Sequence, residues 1–198
     1  NAFCVHRPPG HHAEHEQCMG FCYFNHVAIA ARHLRHQHGL ERVAIIDWDV
    51  HHGNGTQHCF DEDPSVFFFS VHEHPLYPGT GSSEERGIGA GQGQTLNVPV
   101  SSGYGDPDYE QIFLDQLRPA IDAFRPQFIL ISSGFDAHAR DPLSSICLSE
   151  QGFERMTEVV MQLAQEHCQG HLASLLEGGY DHRATAASAL AHLNTLLG

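Results

Sequence analysis

Aspartate and histidine alternate in the segment Asp47-Trp48-Asp49-Val50-His51-His52, directly after a run of apolar residues. In an extended chain, side chains two residues apart lie on the same face, so Asp47, Asp49 and His51 share one face. Carboxylate and imidazole groups are ligands of transition metals, and of zinc in particular. The spacing therefore predicts a metal site at the end of a strand.

Two further apolar runs also end in polar residues. Ser133-Gly134-Phe135-Asp136 supplies another carboxylate, and Glu177-Gly178-Gly179-Tyr180 supplies a phenol. Ligands of open α/β sheets bind at the carboxyl ends of the strands, so we expect these groups to meet Asp49 and His51. Two aspartates and one histidine leave a coordination position for water, as in a catalytic zinc site. Zinc lowers the pKa of bound water from about 15.7 to roughly 7 and so creates a nucleophile at neutral pH.

Attack on a carbonyl also needs a group that moves protons and a group that stabilises the oxyanion. The pair His11-His12 is a candidate for the first role, and Tyr180 for the second. Each feature also has a structural explanation. An aspartate after a strand is more often a helix cap or turn residue, a histidine pair is usually solvated, and a tyrosine after two glycines usually belongs to a turn. Their occurrence together in one chain favours the catalytic interpretation.

The elements that must position these residues are short apolar runs separated by amphipathic segments. Four runs rich in Val, Ile, Phe and Leu predict buried parallel strands, at 43–48, 66–71, 128–133 and 172–176. Helices are predicted at 25–38, at 106–124, from 149 to about 167, and at 183–197. Asp106 is expected to cap the second of these helices, and Pro119 to end or kink it. The alternation predicts an α/β fold with a mainly parallel sheet.

The region 75–105 differs from the rest of the chain because it is rich in glycine. Two interpretations remain open, a low-complexity linker or a functional surface loop. The glycines do not match a dinucleotide-binding fingerprint, because no clear strand–turn–helix pattern surrounds them. The sequence contains no evident internal repeat or second domain, so we expect one domain over residues 1–198.

The composition excludes several classes of protein. The chain has 198 residues, with 24 Asp and Glu against 10 basic residues, all of them arginine, for a formal net charge of −14. Such an acidic chain lacks the basic footprint that nucleic-acid binding requires, and it attracts cations instead. No run of about 18 apolar residues predicts a membrane span. The hydrophobic fraction of 41% is that of a globular domain.

Cysteine and histidine both need interpretation. The six cysteines form no CxxC pair, so we expect reduced thiols in a cytoplasmic protein rather than a zinc ribbon or a disulfide framework. Histidine is abundant, at 18 residues. We expect a chemical role for three or four of them: His11, His12, His51 and, as a further candidate, His52. The others are expected to be solvated, including His33, His36, His38, His58 and His192.

Taken together, the motifs resemble those of the zinc-dependent histone deacetylase family, including its class II-like bacterial members and the acetylpolyamine amidohydrolases. The matching segments follow the family's order and span nearly the whole chain: Arg-Pro-Pro-Gly-His-His-Ala (7–13), Gly-Phe-Cys-Tyr-Phe-Asn (20–25), Asp-Trp-Asp-Val-His-His-Gly-Asn-Gly-Thr (47–56), Tyr-Pro-Gly-Thr-Gly (77–81), Ser-Gly-Phe-Asp-Ala (133–137) and Glu-Gly-Gly-Tyr (177–180). The resemblance implies a three-layer arginase/deacetylase-like fold. It also implies that the N-terminal part of the longer family domain is missing, which would leave one sheet edge bare and the substrate tunnel partly open.

The resemblance implies roles for the catalytic residues. His11, oriented by Asp47, and His12, oriented by Asn54, become the pair that moves protons. The family's class I has Asp in place of Asn54, so this residue points to class II. An imidazole paired with a carboxylate holds its proton more tightly than one paired with an amide, so we predict that His12 is the general base. Tyr180 matches the tyrosine that stabilises the oxyanion.

Metal and substrate ligands also follow from the resemblance. The implied zinc ligands are Asp49, His51 and Asp136. The implied potassium ligands are Asp47, Asp49, His51, Ser70 and Val71. Their oxygen atoms suit this hard cation. A weaker second potassium site is implied near Phe60, Asp63 and Val66. The residues implied for substrate binding are Gly20, Phe21, Tyr77, Leu143 and Gly179. Leu143 lies where a glutamate would favour cationic polyamines, so it favours acetyl-lysine.

We therefore predict a zinc amidohydrolase that removes the acetyl group from a lysine side chain of a protein or peptide. Two alternatives stay open: hydrolysis of an acetylated polyamine or another small acyl-amine, and an impaired fragment that binds metal and acyl-lysine without turnover. An arginase-like di-manganese site has less support, because the motifs lack its further Asp and His ligands. A homo-oligomer is a candidate assembly. Nucleic acid and membrane are not expected as direct partners.

Overall fold

The computed structural model describes residues 1–198 and contains one six-stranded sheet with helices on both of its faces. The strands are β1 (Ala2–Cys4), β2 (Val43–Asp47), β3 (Val66–Glu73), β4 (Thr95–Val100), β5 (Phe128–Ser133) and β6 (Leu172–Leu176). The helices are α1 (His26–His38), α2 (Asn54–Phe60), α3 (Asp106–Ile112), α4 (Arg118–Phe124), α5 (Glu150–Cys168) and α6 (His182–Leu197).

The sheet is parallel throughout, in the order β1-β6-β5-β2-β3-β4. From β2 the chain proceeds outward through β3 to β4, then returns to place β5 on the other side of β2. The strand order therefore reverses between β2 and β5, and at such a reversal a crevice opens at the carboxyl ends of the strands. The predicted α/β fold, a mainly parallel sheet between two layers of helices, is confirmed.

Alternate residues of the central strands face opposite layers, which explains why these strands are apolar throughout. In β2, Val43 and Ile45 pack with α1 in a smaller apolar cluster. Ala44 and Ile46 pack into the larger cluster, to which α3 to α6 contribute. All five residues of β2 are buried. The end of this strand is thus held from both sides, which fixes the residues that follow it.

The structure contains three elements that the sequence analysis did not predict: β1, β4 and α2. The two strands lie at the edges of the sheet. β1 has only three residues. In β4 the apolar pattern is interrupted by Asn97 and Pro99, and within sheets proline is confined to edge strands and bulges. Because β4 lies inside the glycine-rich region 75–105, that region is an ordered part of the fold. Gly81 in it packs so tightly that a Cβ atom would lie 2.5 Å from Nε2 of His72.

The predicted helix at 106–124 is interrupted. Residues Phe113–Leu117 are π-helical, and α4 follows with Pro119 near its start. Proline lacks an N–H and crowds the carbonyl four residues before it, so a wider turn at this point relieves the clash. The helix begins at Asp106 with Gly105 as its cap, which corrects the expectation that Asp106 is the cap itself.

One expectation about the histidines is wrong. His33, His36, His38 and His58 are exposed or only partly buried, as expected. His192 is instead fully buried, with Nδ1 2.7 Å from Oγ1 of Thr157 and Nε2 2.8 Å from Oγ of Ser174. The spacing of four from Ala184 to Ser188 to His192 places these residues on one helix face, and this signal was available in the sequence. Burial lowers the pKa of His192 to about 4.

All six cysteines are free. None of the helices combines the length and the apolar character needed to cross a membrane.

Candidate active site

Three predicted ligands lie together where the strand order reverses. Asp49 and His51 follow β2, and Asp136 follows the adjacent strand β5. Nδ1 of His51 lies 3.1 Å from Oδ1 of Asp49 and 3.1 Å from Oδ2 of Asp136. All three residues are buried, and their ligand atoms lie within 4.8 Å of one another. The arrangement is compact enough for one metal ion to bind all three.

The surrounding backbone holds both carboxylates in place. The N–H of Val50 donates to Oδ1 of Asp136 over 2.9 Å, and the N–H of Gly178 donates to Oδ2 of Asp49 over 2.8 Å. A Cβ atom on Gly178 would lie 2.3 Å from Oδ2 of Asp136, and one on Gly134 would lie 2.2 Å from Oδ2 of Asp49. Both positions therefore exclude any side chain. Two oriented carboxylates and one imidazole match the donors of a catalytic zinc site, so the residues present fit this metal.

The electrostatics of the cluster favour a cation. Burial alone would lower the pKa of His51, but hydrogen bonds with Asp136 and Asp49 outweigh it and raise this pKa to about 10. Burial and the charge of Asp49 raise the pKa of Asp136 to about 6. For Asp49, burial is outweighed by the charges of His11 and His51 and by a hydrogen bond from His51, which lower its pKa. A divalent cation among these groups would compensate the same buried carboxylates.

The tandem histidines lie beside this cluster, each with its own partner. Nδ1 of His11 lies 2.9 Å from Oδ2 of Asp47, and Nδ1 of His12 lies 2.7 Å from Oδ1 of Asn54. Both histidines are buried, and their ring centroids are 4.1 Å apart. The predicted pairings are therefore both present in the geometry.

The two adjacent imidazoles have opposite pKa shifts. Burial acts to lower the pKa of His11, but the charges of Asp49 and Asp47 outweigh it and raise this pKa well above 6.5. For His12, burial and the neighbouring charge of His11 lower the pKa to about 3. The carboxylates around His11 thus favour its charged form, whereas burial and the charge of His11 favour the neutral form of His12.

Glu177 holds the histidine segment in place, a role that the sequence analysis did not assign. Its Oε2 accepts the N–H groups of Gly10 and His11 over 2.6 and 3.1 Å, and its Oε1 accepts the hydroxyl of Ser132 over 3.0 Å. Burial raises the pKa of this carboxyl group. The signal in the sequence was the position of Glu177 directly after the apolar strand β6, because a carboxylate is buried at such a place only when it has polar partners.

The residues predicted to bind potassium lie on two neighbouring strands, β2 and β3, or directly after β2. Asp47 in β2 pairs in register with Ser70 in β3, and both are buried together with Val71. Oδ1 of Asp47 accepts the N–H of Asp49 over 3.1 Å, and Oγ of Ser70 lies 2.9 Å from Nδ1 of His72. Backbone, hydroxyl and carboxylate oxygens suit a hard monovalent cation, so the donor chemistry here fits potassium.

The predicted second potassium site has a competitor. Nη1 of Arg35 lies 3.2 Å from Oδ2 of Asp63, so this carboxylate already has a cationic partner. The backbone oxygens of Phe60 and Asp63 accept the N–H groups of Asp63 and Val66 over 2.9 and 3.4 Å. The second site stays a prediction.

An apolar cavity of about 420 Å³ opens above the cluster of Asp49, His51 and Asp136. Its lining residues are His12, Gly20, Phe21, His51, Leu76, Tyr77, Leu143 and Tyr180. They include four of the five predicted substrate-binding residues, and Leu76 is an addition that no motif indicated. Gly179 is not among the lining residues, and the side on which it would carry a Cβ atom faces α6, 2.6 Å from Oγ1 of Thr185.

The geometry explains the residue types along the cavity wall. A Cβ atom on Gly20 would lie 2.1 Å from the ring of His12, so only glycine allows this approach. Phe21 has a φ of 65°, a left-handed conformation that is strained for a bulky residue, and its side chain is 70% exposed. The rings of Phe21 and Tyr180 are 6.2 Å apart, and those of His12 and Tyr77 are 5.1 Å apart. Aromatic rings thus flank the path from solvent to His12.

Comparison with known proteins agrees with this geometry. The histone deacetylase domain family matches residues 1–196. A probable deacetylase of Archaeoglobus fulgidus is 48% identical over 91% of this chain and 50% of its own length. A histone deacetylase-like amidohydrolase of Pseudomonas aeruginosa is 42% identical over 100% of this chain and 52% of its own length.

A solved structure, the crystal structure of the HDA15 HD domain, superposes with a TM-score of 0.95 at 44% identity. The superposition covers 100% of this chain and 55% of that one. The chain thus spans about half the length of the relatives it matches. With a match over nearly all of its residues and the same fold, the chain belongs to the histone deacetylase family.

Proposed function

We propose that this chain carries the catalytic machinery of a zinc-dependent deacetylase that hydrolyses the acetamide of an acetylated lysine side chain. One observation supports this above all. The cluster of Asp49, His51 and Asp136 lies at an apolar cavity whose wall also contains His12 and Tyr180. Metal ligands, a neutral imidazole and a phenol thus meet at one place, as hydrolysis of an unactivated amide requires.

Zinc at this cluster would supply Lewis acidity, which polarises an amide carbonyl and lowers the pKa of water. His12 is the general base in this proposal, because its lowered pKa keeps it neutral and able to accept a proton. His11 is charged, and it stabilises negative charge that develops nearby. Tyr180 donates a hydrogen bond to the oxyanion; burial raises its pKa, so it keeps its proton.

The cavity supports a neutral acyl chain as the substrate group. Its lining contains no carboxylate, so a cationic polyamine would find no partner for its second charge there. Phe21, Leu76 and Tyr77 instead offer apolar surface to the four methylene groups of a lysine stem. For the same reason we propose the acetylated side chain of a protein or peptide over an acetylated polyamine.

Potassium at Asp47 and Ser70 would have a structural role. The free cysteines fit the reducing cytoplasm.

The deciding experiment measures zinc content and turnover together. The purified chain is loaded with zinc and assayed on an acetyl-lysine peptide and on N-acetylputrescine. We expect about one zinc per chain and turnover that favours the peptide. Asp49→Ala should lose both zinc and activity, whereas Asp115→Asn, an exposed change far from the cluster along the chain, should keep both.

Three outcomes would contradict the proposal. Normal zinc content and activity in Asp49→Ala would refute the metal assignment. Preference for N-acetylputrescine would replace the substrate with a small acyl-amine. Full zinc content without turnover on either compound would identify a binding protein.

A further inference from the structure

A chain of polar side chains runs from the cavity to the protein surface through Asn54. Nδ1 of His12 lies 2.7 Å from Oδ1 of Asn54, and Nδ2 of Asn54 donates to Oε1 of Glu14 over 2.5 Å. The same carboxylate oxygen lies 2.8 Å from Nδ1 of His58. His12 and Asn54 are buried, Glu14 is half-buried and His58 is exposed. Glu14 therefore connects the buried pair to the solvated surface.

The amide of Asn54 has two orientations of nearly equal shape, and its neighbours decide between them. An ionised carboxylate only accepts hydrogen bonds, so Glu14 requires the NH₂ end of the amide to point toward it. The other contacts of this NH₂ group are weak: the carbonyl of His12 at 3.5 Å and the thioether of Met19 at 3.4 Å. Glu14 is thus the one strong acceptor for this group, through a charge-assisted hydrogen bond.

The orientation of Asn54 in turn determines where His12 carries its proton. With its NH₂ group on Glu14, Asn54 presents only its carbonyl oxygen to Nδ1 of His12. A carbonyl oxygen accepts and cannot donate, so Nδ1 must carry the hydrogen. In a neutral imidazole this leaves the lone pair on Nε2, which is the form that a general base needs. A flipped amide would produce the opposite tautomer.

We propose that Glu14 is a positioning residue, which orients the amide of Asn54 and thereby places the lone pair of His12 on Nε2. The consequence for catalysis rests on the proposed function, in which His12 is the general base. The effect on the tautomer does not rest on it. Neither the motif comparison nor the family match assigns a role to Glu14.

Coupling between positions 14 and 54 tests the proposal. Glu14→Ala should reduce kcat by about tenfold with little change in KM, as expected for loss of an outer partner of a catalytic group. Glu14→Gln retains an acceptor oxygen and should recover most of kcat. Asn54→Asp should also impair turnover, because its new carboxylate would contact that of Glu14. Combining Asn54→Asp with Glu14→Ala removes this repulsion and lets the new carboxylate accept directly from His12, so the double variant should exceed both single variants.

The matched control is Glu16→Ala, which removes the same charge from an exposed neighbouring residue and should leave kcat unchanged. Thermal melting of each variant detects misfolding. Wild-type kcat in Glu14→Ala, or a double variant no better than the worse single variant, would overturn the proposal. Equal losses in Glu14→Gln and Glu14→Ala would also overturn it, because an acceptor oxygen would then be irrelevant.

A measurement independent of turnover separates this inference from the proposed function. ¹⁵N shifts of the histidine side chains report which ring nitrogen carries hydrogen, and His12→Gln assigns the signal. We expect the Nδ1–H tautomer in the wild-type chain and loss of this preference in Glu14→Ala. An Nε2–H tautomer in the wild type, or an unchanged tautomer in Glu14→Ala, would refute the positioning role. This test applies even if no acyl-amine is hydrolysed.

Discussion

The carboxylate of Asp141 accepts the backbone N–H of Tyr180, with Oδ2 2.7 Å from the nitrogen. The same oxygen accepts the N–H of Asp181 over 3.3 Å, and Oδ1 accepts the N–H of Leu143 over 3.0 Å. One buried side chain thus connects the segment that carries Tyr180 to the segment that carries Leu143. Because both of these residues line the cavity, Asp141 sets the shape of its wall.

We therefore predict that Asp141→Ala lowers kcat by about tenfold, because a misplaced oxyanion donor loses transition-state stabilisation. Asp141→Asn should lose less, since its remaining carbonyl oxygen can still accept the N–H of Tyr180. Steady-state kinetics on an acetyl-lysine peptide measures the difference, with zinc content checked for each variant. Identical kinetics in Asp141→Ala and the wild type would show that Tyr180 needs no such support.

Metal binding should stabilise the fold. Free zinc at 100 times its dissociation constant would add about 2.7 kcal/mol to the free energy of unfolding. For a chain of this size, this corresponds to an increase in Tm of roughly 5–10 °C. Differential scanning calorimetry with zinc and with a chelator would measure it.

The control for this prediction is Asp136→Asn, which removes one ligand and one buried charge. Burial raises the pKa of Asp136 to about 6, so the neutral amide should cost the metal-free protein little. The variant should gain far less Tm from zinc than the wild type does. An equal gain in both proteins would place the stabilising metal elsewhere.

His192 should make stability depend on pH. Its pKa is lowered from 6.5 to about 4 by burial, so between these values the unfolded chain binds more protons than the folded chain. Stability from this group is therefore fully present above pH 6.5 and is lost as the pH falls toward 4. The loss amounts to about 3 kcal/mol, from the difference between the two pKa values.

His192→Leu isolates this contribution from that of the other buried histidines. At pH 7 the variant should be less stable than the wild type by about 1–3 kcal/mol, because the hydroxyl groups of Thr157 and Ser174 each lose one of their two hydrogen-bond partners. Toward pH 4.5 the difference should shrink, since leucine has no proton to release on folding. Urea unfolding at several pH values provides the data. Parallel stability curves for the two proteins would be incompatible with a neutral buried His192.

Glu177 should matter for both stability and activity. A glutamine in its place keeps one acceptor oxygen for the N–H groups of Gly10 and His11 but loses the negative charge that strengthens these hydrogen bonds, and the hydroxyl of Ser132 must turn to accept from its NH₂ group. We expect Glu177→Gln to lower the free energy of unfolding by about 1–3 kcal/mol. Displacement of His11 should lower kcat by about tenfold or more. Ser132→Ala removes only one of the three donors, so its effect on kcat should be smaller; an equal effect would contradict the anchoring role of Glu177.

Several features could be predicted from the sequence because their signals are local. The four central strands are apolar on both faces, and only burial between two layers explains this pattern. The edge strands β1 and β4 escaped prediction because an edge strand needs little apolar surface and pairs on one side only. His192 was predicted at the surface because histidine is usually exposed, and its spacing from Ala184 and Ser188 indicates a shared helix face without showing that this face is buried. Its burial depends on hydroxyl partners from α5 and β6.

The sequence by itself determined that Asp49 and His51 are neighbouring donors, since they are two residues apart directly after a buried strand. The tertiary structure decided which distant groups complete the candidate site. Asp136 reaches His51 because β5 lies next to β2. Glu177, directly after β6, accepts the N–H of His11, whose segment follows β1, the other neighbour of β6. Strand order follows from how the whole chain packs its layers, and no local pattern encodes it. The surroundings of His11 and His12, and hence the opposite directions of their pKa shifts, are consequences of that packing.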